Sequence, residues 1–222
     1  RTSLFFARDF SEAFAAWDRF DHTQAKNKFE TYKPRVSQFW LDHYLFLKNL
    51  TEENDAVKKD LARIIDLHLN AQRRAKQGRY DDAVARTYRI IEWTAQWLLR
   101  KYCNIETANV PLEKIPDELK SRVHPDEKGR IKVGLMLAWQ LVEKLVPGKP
   151  KEFFLAENKN LMSKLEIRNY SILAHGFTPV AKKDWESMNT WFEEKFFPIL
   201  KDEAKKVKII KFPQLPTECP GD

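Results

Sequence analysis

Apolar positions recur along most of this chain at spacings close to the 3.6-residue period, so nearly every segment reads as helix. Residues 3–31 carry Leu4, Phe6, Phe10, Phe14, Trp17 and Phe20 at intervals of two to four, which predicts one helical face. Pro34 breaks that run, and a second helix is expected over 35–49. The polar stretch TEENDA at 51–56 has helix-start character and leads into a long helix to about Gln77. Gly78 punctuates, and RYDDAVARTYRIIEWTAQWLLRKY gives a helix from about Asp81 to Tyr102. Residues 104–130, with Pro111, Pro116, Pro125 and Gly129, read as loop. A helix over about 131–146 ends before Pro147 and Gly148, another starts near Glu157, and the last runs from about Asp184 to Lys206. KIIKFPQLP, beyond it, reads as a short strand or an extended arm.

This pattern defines an all-α fold: a helical linker region over 1–59, a helical bundle over 60–211, and a Pro-rich tail over 212–222. The hairpin around Gly78 looks like half of a tetratricopeptide unit, but it occurs once and without that repeat's period, which excludes a repeat array. Arg1 lies in a segment that already reads as helix, so further chain is expected upstream.

One segment does not fit a simple amphipathic stripe. In IRNYSILAHGF, residues 167–177, an arginine and a histidine occupy positions where apolar residues belong. On a continuous helix with Leu161 at zero, Leu165 falls near about 40°, Ile172 near about 20°, Arg168 near about 340° and His175 near about 320°. Ser171, near about 280°, flanks them, and Asn169 lies near about 80°. Burying an unpaired guanidinium is costly, so this face either supplies a partner or opens onto a cleft. Two readings follow: Arg168 bonds an acid on a neighbouring helix while His175 caps carbonyls, or the pair acts on a ligand. Acids and bases at 70–92 bear on that choice. Asp82 lies four before Arg86, and Glu92 three after Arg89, a spacing for helix-surface ion pairs, yet Arg86 and Glu92 would also reach Arg168. Tyr88, Trp93 and Trp97 read as core.

Charge and composition narrow the function classes. Net charge is +7, and residues 61–102 hold nine basic side chains against four acidic ones, which favours polyanionic partners. No apolar run reaches the ~20 residues of a membrane span, so no membrane partner is expected. Cys103 and Cys219 lie outside any ligand-spacing motif, and CxxC and HExxH are both missing, so neither a metal nor a cofactor is expected. A reducing cytoplasm is the setting these cysteines suit. His22, His43 and His68 read as structural.

RNYSILAH is similar to the signature of HEPN-domain ribonucleases, in which Arg, a polar residue and, after a few more positions, His share one helix. Here six residues separate Arg168 from His175, and Asn169 is the polar residue. Two stretches, NAQRRAKQGRYDDAVARTYRIIEWTAQ at 70–96 and RNYSILAHGF at 168–177, resemble the helical half of type III CRISPR accessory proteins, which join a CRISPR-associated Rossmann-fold (CARF) sensor to a C-terminal HEPN domain. The likeness covers roughly 60–180, and 1–50 resembles the region linking sensor to nuclease. It implies a HEPN-type bundle, a homodimer, single-stranded RNA as substrate and an antiviral role. Cyclic oligoadenylate would act only through a sensor domain upstream of Arg1.

The chemistry suits those residue types. RNA carries its own nucleophile in the 2′-hydroxyl, so the protein need only move protons and stabilise the phosphate's extra charge. Histidine titrates near neutrality and suits either proton transfer, while arginine offers a fork of donors matched to phosphate oxygens. Packing the 161–177 helices of two copies together would bring two Arg168 and two His175 into one cleft, with the apolar stripe as interface. Asn169 would orient Arg168; Ser171, Arg86, Glu92 and Asp82 are supporting candidates. The alternative is a catalytically silent HEPN-like module that dimerises or binds nucleic acid.

Overall fold

A computed structural model describes residues 2–32, 38–169, 171 and 176–216. Among them the regular elements are helices, joined by two isolated bridges, Pro125 with Ile131 and Ser171 with Thr178. The all-α expectation holds. The chain divides into two units, residues 1–70 with 204–222 and residues 71–203.

In the first unit the run at 3–31 is two helices, α1 (Thr2–Asp18) and α2 (His22–Tyr32). The break is chemical. Phe20 takes a left-handed backbone, φ 64°, and the Asp21 N–H returns 2.9 Å to the Ala16 carbonyl, closing the end of α1. The Asp21 carboxylate then accepts the Gln24 N–H at 3.1 Å, capping α2. Phe20 continues the apolar period in sequence but lies exposed at the corner. Helix α3 (Gln38–Thr51) follows, then α4 (Ala56–Lys76), which Asp55 caps through the Val57 N–H at 2.8 Å.

Trp17, Phe29, Phe46 and Leu47 fill the core of this unit. Its one buried carboxylate pair is satisfied: Asp66 accepts the Trp17 indole N–H at 2.8 Å and meets His22 Nε2 at 2.8 Å. Residues 209–216 form no helix or strand. Ile209 and Leu215 are buried, and the Gln214 amide donates to the Leu69 carbonyl at 3.0 Å while its backbone carbonyl faces His43 Nε2 at 3.1 Å.

The second unit is built around α5 (Tyr80–Cys103), against which α7 (Leu135–Leu145), α8 (Lys149–Asn169) and α9 (Lys182–Trp191) pack. A four-residue helix, α6 (Asp117–Lys120), lies in the 104–130 connection. Trp139 is fully buried, with Phe153 at 5.4 Å and Phe154 stacked at 6.1 Å, and its indole donates to the Ile91 carbonyl at 3.2 Å.

Three helix bounds differ from the sequence reading. Helix α7 starts at Leu135, because Ile131 and Val133 are extended and exchange backbone bonds with Val110 and Thr107. Helix α8 starts at Lys149 instead of near Glu157. Pro150 falls in the first turn, where a missing N–H costs nothing, and Phe153 and Phe154 are buried. The last helix begins at Lys182 and widens into a π segment, Phe192–Phe196, before α10 (Phe197–Lys206). Pro198 explains the widening: it has no N–H for the 194 carbonyl and its ring crowds that turn.

Candidate catalytic motif

Helix α8 carries Arg168 one residue before its end. On the same helix Leu161 and Leu165 are 0% and 5% exposed inside the second unit. This corrects one expectation: their stripe is core of a single copy and is not left free as an interface, because α8 turns it toward α5 and α7. Arg168 sits half-buried at the edge of that stripe. Its guanidinium carbon lies 4.7 Å from the centre of the Tyr88 ring on α5, and Nη1 donates to the Asn169 side-chain oxygen at 3.4 Å, a long bond. Among the described residues no carboxylate pairs with it.

Beyond Asn169 the helix does not continue to Ser171, which corrects its wheel position. The Ser171 N–H reaches back 3.0 Å to the Arg168 carbonyl, satisfying one of the free carbonyls at the helix end. Ser171 then bridges Thr178 in parallel, and the Gly176 N–H donates to the Ser171 carbonyl at 3.1 Å. The Ser171 hydroxyl is buried without a hydrogen-bond partner, an arrangement that costs about 1–3 kcal/mol and is rare without a reason. His175 and Ile172 lie outside the described residues. Past them, Phe177 is 95% exposed, and the Val180 N–H donates to both oxygens of Asp81 at 3.2 Å.

The 79–92 cluster is organised along α5 itself. Asp82 pairs with Arg79 and with Arg86, the latter at 3.1 Å, and Glu92 pairs with Arg89. Neither Arg86 nor Glu92 pairs with Arg168. Arg89 instead lies over Trp93, 4.8 Å from the ring centre. Trp97 is core, as its spacing indicates, while Tyr88 and Trp93 are half-buried with a guanidinium on each face. Tyr88 and Asp81 are the residues the sequence reading missed. Their seven-residue spacing was the available signal, since it puts both on one face of α5.

Three histidines outside the motif, His22, His43 and His68, have structural surroundings, while His124 is exposed. His22 meets Asp66, His43 meets the Gln214 carbonyl, and His68 is buried on α4. Among the described residues no group of three His, Cys, Asp or Glu side chains could hold a metal ion. No described helix is long and apolar enough to cross a membrane.

Helix α8 thus ends on an arginine that no described carboxylate pairs, with His175 seven residues further on in the sequence. The family model of the Csm6 HEPN domain matches residues 52–195, more than half of the chain, and the chain belongs to that family. It is a HEPN-domain, CRISPR-associated protein of the ribonuclease-effector class. No curated protein matches it.

Proposed function

We propose that this chain is a metal-independent endoribonuclease that cuts single-stranded RNA by internal 2′-hydroxyl attack, as the effector half of a type III CRISPR antiviral accessory protein whose sensor lies upstream. Arg168 carries the reading. A carboxylate partner would cancel its charge, whereas a ring face holds the guanidinium and leaves its donors for phosphate oxygens. As the 2′-oxygen attacks, negative charge grows on the phosphate, and Arg168 stabilises it. His175 transfers the proton, taking it from the 2′-hydroxyl or giving it to the leaving 5′-oxygen. Asn169 holds one edge of the arginine, at 3.4 Å. Ser171, with its unpartnered hydroxyl, supports the phosphate side.

A second copy completes the site. With Leu161 and Leu165 buried, the exposed large apolar side chains nearest the motif in sequence are Leu155 and Met162, seven apart on α8, and Phe177; these are 55%, 44% and 95% exposed. A homodimer that uses these side chains would supply the second motif. Cyclic oligoadenylate acts only through the upstream region, and the site works in the cytoplasm.

The test is direct. Purified protein should cut unstructured RNA in EDTA, leave the matching DNA intact, and release products ending in a 2′,3′-cyclic phosphate. Arg168→Ala and His175→Ala should each lose roughly 10²-fold or more. A dimer that binds RNA and never cuts it, even when joined to its upstream region and activated, would make the chain a binding module instead.

A further inference from the structure

The segment holding the candidate histidine is tied to α5 at both ends. At one end the Arg168 guanidinium lies 4.7 Å over the Tyr88 ring. At the other the Val180 N–H is held by both carboxylate oxygens of Asp81 at 3.2 Å. Tyr88 and Asp81 are seven residues apart, about 10.5 Å along the helix and on one face. Between the two ties Ser171 bridges Thr178 in parallel, and the Gly176 N–H donates to the Ser171 carbonyl. The support is stiff: Ile90, Ile91, Leu98 and Leu99 of α5 are all fully buried.

The choice of partner matters chemically. An arginine side chain has several rotatable bonds, and aiming it costs entropy each time substrate arrives. A carboxylate would aim it but would compete with the phosphate for its donors. A tyrosine ring attracts the cation with its negative face and takes no N–H bond from the plane of the fork. Asp81, in the first turn of α5, is free to serve the loop because the helix N-terminus favours its charge.

We infer that Tyr88 and Asp81 are positioning residues of this site: the Tyr88 ring aims the Arg168 fork, and the Asp81 carboxylate anchors the chain that returns from His175. The inference rests on the ribonuclease reading above, and α5 is then the frame that carries both residues.

Kinetics on single-stranded RNA with the full chain separate aiming from binding. Tyr88→Leu keeps a bulky apolar side chain but loses the ring, and kcat should fall about tenfold with KM moving less than about twofold. Tyr88→Phe should recover most of the rate, since the ring face is what acts. Asp81→Ala should lower kcat in the same manner, and the Val180 amide should lose hydrogen-exchange protection. A double-mutant cycle of Tyr88→Leu with Arg168→Met, read by urea unfolding, reports the contact without any activity; the expected coupling is a factor of about two to five in the unfolding constant. If the parent cuts RNA and Arg168→Ala does not, but Tyr88→Leu has the parent's kcat, the positioning role is overturned and the ribonuclease reading stands. If the parent never cuts, the ribonuclease reading falls and the catalytic role of the frame with it. A cycle without coupling overturns the Tyr88 half in either case.

Discussion

Glu92 faces Arg89, one turn away on its own helix, and leaves Arg168 to the ring of Tyr88. Half-exposed pairs three apart on a helix contribute about 0.2–0.5 kcal/mol. Glu92→Gln should therefore shift thermal unfolding by a degree or so and leave RNA cleavage at the parent's rate. A large loss of cleavage with unchanged stability would return Glu92 to the site.

The guanidinium geometry also separates arginine from lysine. Arg168→Lys keeps the charge but not the planar fork or its stacking on Tyr88. It should cleave at least about tenfold more slowly than the parent, while Arg168→Ala is slower still. Equal rates for the lysine variant and the parent would mean that charge alone is used.

Glu157 gives α8 a pH-dependent tie. Its carboxylate accepts the Asn160 amide at 2.8 Å and the Trp191 indole N–H at 2.9 Å, and these bonds, Asn160 first, hold it below its ordinary value of 4.5. The folded state thus favours the charged form more than the unfolded state does. The resulting stability is present above pH 4.5 and is lost as pH falls through the lowered value. Melting temperature plotted against pH should drop less steeply on the acid side in Glu157→Gln than in the parent. Parallel curves would remove Glu157 from the acid response.

The exposed apolar face predicts its own disruption. Met162→Lys combined with Phe177→Ser should give a monomer by light scattering at tens of micromolar, with cleavage lost and secondary structure kept. A double variant that stays dimeric would move the interface elsewhere.

Trp139 anchors the second unit through three aromatic neighbours and the Ile91 carbonyl. Trp139→Ala should destabilise by about 3–5 kcal/mol, measured by urea unfolding followed by circular dichroism. A change below 1 kcal/mol would show that the site collapses around the smaller side chain.

Sequence was most legible where local chemistry and period agreed. Helices α4 and α5 were readable to within one or two residues because Asp55 and Gly78 punctuate them. It failed where a signal had two meanings. Phe20 kept the apolar period yet marks a corner, and the helix expected near Glu157 begins at Lys149, with Pro150 in its first turn. In the motif, Arg168 and Asn169 lie on α8 as the helical period expects, whereas the wheel failed at Ser171, since a local backbone bond replaced the helix there. Tyr88 was read as core for a different reason: spacing put it on one face with Asp81, but an aromatic at helical spacing has the same signature whether it fills a core or carries a cation.

The π segment Phe192–Phe196 acts as a phase shifter. Its wider turn accommodates one residue more than an α-turn, so everything after it is rotated by about 100° relative to an uninterrupted helix. Phe192, Phe196, Ile199 and Leu200 are all buried with that offset in place. Straightening this turn without removing a residue would swing Ile199 and Leu200 off the core, whereas deleting one residue, such as the exposed Lys195, would cancel the extra residue and keep them in phase. A one-residue deletion is therefore tolerated better here than in a regular stretch of the same helix.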